Sequence, residues 1–109
     1  MSVSGRHKRR EERKFKRISV RYGHKEIEHK AVAQQISPSG LFLATNGIVY
    51  TNGSPIVVEI TGPAAVWLVA GIVRHAIKVH PSMMHVTRPG MGVELTDVPG
   101  PCRDYLAAL

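Results

Sequence analysis

The chain has 109 residues, 43% of them apolar, a single cysteine and a net charge of +7. That length holds one domain with a modest core, and a lone cysteine excludes an internal disulfide or a cysteine metal cluster. No apolar run approaches the roughly 18 residues that cross a bilayer, and the charged N-terminus is unlike a secretory signal, so the expected location is the cytoplasm with no membrane span.

Eleven of the fifteen Lys and Arg residues, but only four of the eight acids, lie in residues 1–30. The remainder is neutral. The excess charge therefore belongs to the N-terminal arm and first strands, and it calls for an anionic partner: a phosphate ligand, a nucleic acid or an acidic protein.

Residues 1–11 have no apolar side chain after Val3 and form a flexible basic arm. Residues 12–17 are an arginine cluster, Glu-Arg-Lys-Phe-Lys-Arg. Ile18, Val20 and Tyr22 then alternate with Ser19 and Arg21, the pattern of a half-buried strand. After the turn Gly23-His24-Lys25, a second strand is expected across residues 27–36. Ser37-Pro38-Ser39-Gly40 breaks it, since proline cannot donate to a ladder. Leu41–Ala44 is a third strand, and Thr45-Asn46-Gly47 and Thr51-Asn52-Gly53 are turns. Pro55–Thr61 is a fourth strand, ended by Gly62-Pro63.

Residues 66–79 are the longest apolar stretch, and their Val, Ile and Trp content favours strand over helix. Gly71 inside it points to a bulge or a close backbone approach. Residues 80–90 form a loop and residues 91–95 a sixth strand. Pro99 suits the start of a short helix over residues 99–109, whose Tyr105, Leu106 and Leu109 share a face that can cover one end of a barrel. Many short strands with regular turns in so small a chain make an all-β, six-stranded antiparallel barrel, because closure removes exposed edges. The expected organisation is an arm over 1–11, a barrel over 12–98 and a C-terminal helix.

Enzyme chemistry finds no support. The histidines at 24 and 29, and at 75, 80 and 85, are spaced by five, which puts neighbours on opposite faces of a strand. No acid or cysteine accompanies them at a metal-binding interval. Ser37 and Ser39 lie outside any Gly-x-Ser-x-Gly elbow, and no Gly-rich loop carries a Lys-Ser/Thr pair. No catalytic residue, metal or cofactor is expected. Arg13 and Arg17 carry more: four apart around Phe15, they share one side in either helical or extended chain. Guanidinium forks bind phosphate oxygens bidentately and stack on purine faces.

Arg13-x-x-x-Arg17 before a strand, followed by Gln35-x-Ser37-x-x-Gly40 entering another, resembles the PilZ domain family. Gly90–Val98 is similar to that family's last barrel strand, and Gly71–Arg74 to the strand before it. The likeness runs in order over residues 12–98. It implies a non-enzymatic cyclic di-GMP receptor whose arginine arm folds over the ligand and signals to a downstream protein. Arg13 and Arg17 would hold phosphates and guanines, Ser37 would hydrogen-bond the ligand, and Gly40 would permit the turn. Gln35 stands where the family has Asp or Asn, one methylene too long. Loss of a guanine hydrogen bond there would cost on the order of 1–3 kcal/mol. Two alternatives follow. One is a degenerate PilZ domain kept for protein–protein contacts. The other is a nucleic-acid-binding barrel with a basic arm, disfavoured because Trp67 sits in an apolar strand instead of forming a stacking platform.

Overall fold

The computed structural model describes residues 16–109. The expected arm over residues 1–11, and Arg13 with it, lie outside the described residues. Six strands follow: β1 (Ile18–Gly23), β2 (His29–Ser37), β3 (Gly40–Ala44), β4 (Pro55–Thr61), β5 (Val66–Ile77) and β6 (Gly90–Asp97), with a helix α1 (Gly100–Ala108) at the end. They close into an antiparallel barrel in the order β1-β2-β3-β6-β5-β4. β1 shuts it by pairing with β4, Tyr22 facing Val58.

The two-residue period of each strand builds the core. Ile56, Val58 and Ile60 of β4 point inward while Val57 and Glu59 stay half-exposed. Tyr22, Ile36, Leu41, Leu43, Val69, Val73, Met91 and Leu95 complete the interior. α1 caps one end, with Cys102 and Leu106 buried, and Tyr105 sets its ring 5.6 Å from that of Trp67. Trp67 is therefore packed against the core and is not an exposed platform. The expected helix face omitted Cys102, which lies one turn before Leu106.

The expected strands appear with ends shifted by a residue or two. β2 begins at His29 instead of residue 27, because Glu28 N–H instead closes the β1–β2 turn onto the Tyr22 carbonyl. β5 is one strand of twelve residues ending at Ile77, and its pairing with β6 slips at Ala70/Gly71 and again at Val73/His75. Gly71 carries the close approach its position implied: a Cβ there would lie 2.7 Å from the Glu94 carbonyl oxygen. The loop after β5 contains a 3₁₀ turn at Pro81–Met83.

The end of the barrel near the β1–β2 turn is held by aromatic groups. The buried Tyr22 hydroxyl donates to the Ile48 carbonyl and lies 3.3 Å from Thr45 Oγ1, which itself donates to the Lys30 carbonyl at 2.8 Å. His24 meets Tyr50 edge to face, with ring centroids 3.8 Å apart, so this histidine has a packing role.

Candidate functional site

The motif turn between β2 and β3 is built around a bulge. Gln34 pairs with Phe42 and Ser37 with Gly40, so Gln35 and Ile36 oppose Leu41 alone. Gln35 takes up the mismatch at φ 53°, the one non-glycine residue with positive φ among the described residues. Its side chain is exposed beside the turn. Ser37 has a different environment. It is buried, and its hydroxyl donates to the Gly40 carbonyl at 3.2 Å, so in this structure it holds the turn together. Gly40 is required by packing, since a Cβ would lie 2.9 Å from the Val93 carbonyl oxygen. The Leu95 N–H donates to the Ser39 carbonyl at 2.8 Å and ties the turn to β6.

Arg17 lies just before β1, and Ile18 pairs with Ala33, so Arg17 falls beside Gln34. Both line a shallow outer groove with Ser19, Val32, Ala44 and Arg88. That groove continues through Ser19, Val32 and Arg88 into a larger one of about 790 Å³ over β1 and β2, edged by Arg21, Lys30, Thr45 and Asn46. Arg21 donates to the Ile27 carbonyl at 3.1 Å and sits 3.9 Å from Glu59. The outer face of β1–β3 thus has a small-residue floor under four cations, with Glu28 and Glu59 also lining the larger groove, and its surplus of positive charge suits phosphate oxygens.

On the other side of the motif turn, Gln35 and Gly40 line a recess of about 480 Å³ with Phe42, Arg74, His75 and Gly92. Arg74 Nε donates to Glu94 Oε1 at 2.6 Å. The structure therefore divides the expected site residues between two recesses: Arg17 lines the groove over β1 and β2, and Gln35 and Gly40 line the one over β3, β5 and β6. Ser37 is buried within the turn, and Arg13 lies outside the described residues. Arg21, Lys30 and Arg88 were not singled out from the sequence. The alternation of β1 and β2 places Arg21 and Lys30 outward, but only the tertiary structure brings in Arg88, from the loop before β6.

Perturbed ionisations lie away from this face. Burial raises the Tyr22 phenol above its ordinary 10.0, partly offset by its hydrogen bond with Thr45. Burial also raises Tyr50, helped by Tyr22 and Glu28, and raises the Cys102 thiol. None of these sits in an open cleft with a second reactive group. Among the described residues no cluster of three His, Cys, Asp or Glu side chains is placed to hold a metal, and no helix is long and apolar enough to cross a membrane.

No family model and no curated relative matches the chain. Among solved structures the chain is similar to the Bacillus subtilis inhibitor of motility, MotI/DgrA, with a TM-score of 0.70 and 15% identity. The match covers 91% of this chain and 47% of that one, so the chain spans about half the length of its structural neighbour. At that identity the likeness shows the fold: a six-stranded, PilZ-like closed barrel with one short C-terminal helix.

Proposed function

We propose that the chain is a non-enzymatic receptor for cyclic di-GMP that passes the signal to a partner protein. The observation that supports this reading is Arg17 lying beside Gln34, the residue before the Gln35–Gly40 turn, on a PilZ-like barrel. Arg13 would join Arg17 on the ligand's phosphates and bases. Gln35 and Gly40 would meet its other side. Ser37 would act chiefly through the turn it braces. Ordering of the basic arm over a doubly anionic ligand then makes or unmakes a surface for the partner. A regulatory role gains support from the neighbour's being an inhibitor of motility.

Calorimetric titration of cyclic di-GMP into the whole chain tests the proposal, with Arg17→Ala as the comparison. Arg17 is exposed, so the variant keeps its fold. Loss of charge-assisted hydrogen bonds of about 1.5–3 kcal/mol lowers affinity roughly 10- to 150-fold. Absence of saturable binding by the wild type at high micromolar ligand refutes the reading. The chain would then be a protein-interaction barrel, as the extra methylene of Gln35 and the buried, turn-bonded hydroxyl of Ser37 favour.

A further inference from the structure

Among the described residues six large apolar side chains stand exposed, and four of them gather at one end of the barrel. Strand direction alternates along the chain, so the loops after β1, β3 and β5 emerge together, at the end opposite the motif turn. Ile48, 50% exposed, sits on the loop after β3. Met83, Met84 and Val86, at 47%, 37% and 67%, sit on the loop after β5. None of the four lines a groove described above. They stand on loops at the barrel end and not in a cleft.

Bonded turns set this exposure. His80 Nδ1 accepts the Ser82 N–H at 3.1 Å and starts the 3₁₀ turn at Pro81–Met83. The Met83 carbonyl then accepts the N–H groups of Val86 at 2.9 Å and Thr87 at 3.0 Å, a helical turn that puts Met83 and Val86 on one side. The Thr45 N–H donates to the Pro89 carbonyl at 3.1 Å, and Asn52 Oδ1 accepts the Ala76 N–H at 2.7 Å, so the two loops are tied together at their bases.

The charge beside these loops has one sign. Residues 60–93 contain Arg74, Lys78, Arg88 and three histidines, with no Asp or Glu, and residues 45–54 carry no charge. Lys78 and Arg88 flank the methionines at either side of the loop, and both are exposed. Arg88 also leads into the grooves that hold Arg17, Arg21 and Lys30. Acids enter only from Glu26 and Glu28, which accompany Lys25 on the turn after β1, and from Glu59 in the larger groove. Apolar side chains flanked by cations suit a bilayer with anionic headgroups: the first enter the boundary between headgroups and acyl chains, and the second stay at the phosphates. A stable protein interface takes roughly 20–30 residues a side, which four side chains on two loops do not supply.

We infer that this barrel end is a docking tip for an anionic lipid surface: Ile48, Met83, Met84 and Val86 enter the bilayer interface, and Lys78 and Arg88 meet headgroup phosphates. The chain then lies on a membrane without crossing it. The inference is independent of the cyclic di-GMP reading, because the tip and the motif turn occupy opposite ends of the barrel.

Vesicle co-sedimentation of the full chain tests it, with phosphatidylcholine alone and mixed equally with phosphatidylglycerol. One variant combines Met83→Ser, Met84→Ser and Val86→Ser; a second is Lys78→Gln and a third Val86→Trp. All these positions are exposed, and thermal midpoints check that each variant folds. The wild type should bind the mixed vesicles, and the neutral ones more weakly. The triple serine variant should lose roughly tenfold or more in affinity for the mixed vesicles, and Lys78→Gln about fivefold. The tryptophan introduced by Val86→Trp should shift its emission to the blue on the mixed vesicles, while Trp67, packed against the core, stays constant in the wild type. Equal binding by the wild type and the triple variant, or bound Val86→Trp without a blue shift, would overturn the tip and leave only attraction between cations and lipid. No binding to mixed vesicles would also overturn it, and self-association abolished in the triple variant would then assign this end to a second copy of the chain.

Discussion

Replacing Gln35 by Asn is expected to stabilise the barrel by about 1 kcal/mol. Gln35 is held at φ 53° by the one-residue mismatch between β2 and β3. A left-handed conformation costs an L-residue roughly 1–2 kcal/mol, and Asn visits that region several-fold more readily than most side chains. A several-fold preference is worth about 0.6–1 kcal/mol at room temperature, since tenfold is about 1.4 kcal/mol. The Gln35 side chain is exposed, so little packing is lost with it. In a domain of this size 1 kcal/mol moves the thermal midpoint by about 4–8 °C. Thermal and urea unfolding of Gln35→Asn, Gln35→Ala and Gln35→Gly would measure it without ligand. Alanine keeps the Cβ and hence the strain, and should match the wild type or fall below it. Glycine relieves the strain but frees the unfolded chain by about 0.4–1 kcal/mol, and should lie between alanine and asparagine. An Asn variant no more stable than the Ala variant would refute the argument, because the cost could not then reside in the left-handed backbone.

Two further outcomes follow from the packing. Gly71→Ala puts a Cβ 2.7 Å from the Glu94 carbonyl oxygen and 2.8 Å from Val93 Cγ1, so β5 or β6 must move. A loss of about 1–3 kcal/mol in urea unfolding is expected, and an unchanged midpoint would mean that the β5 bulge yields freely. Alkaline pH should weaken the fold through Tyr22 and Tyr50. Burial raises both phenols, so the folded state holds the proton more tightly than the unfolded state. Their contribution is intact below the unfolded value of 10.0 and is lost as pH rises through the folded pKa. Phenolate absorbance and denaturation midpoints should therefore change together above pH 10.0; ionisation at the ordinary value with constant stability would contradict this.

The barrel was largely legible in the sequence because its determinants are local. The alternation in Pro55–Thr61, the turn at Ser37–Gly40 and the Val/Ile content of Val66–Ile77 each specify a strand or a break from neighbouring residues alone. The same local patterns placed Arg17 just before β1 and Gly40 at the end of the turn between β2 and β3. Where a side chain goes at a bulge was not legible. Ser37 is buried in the turn and Gln35 takes the left-handed region because β2 carries one residue more than β3 can match, a quantity set by strand pairing and not by the local pattern. The recess is the extreme case: Phe42, Gly92 and His75 share it because β3 pairs with β6 and β6 with β5 across three separate stretches of chain. Periodicity decides which residues face out of a strand. Only closure of the barrel, with its register and its slips, decides which of them face one another.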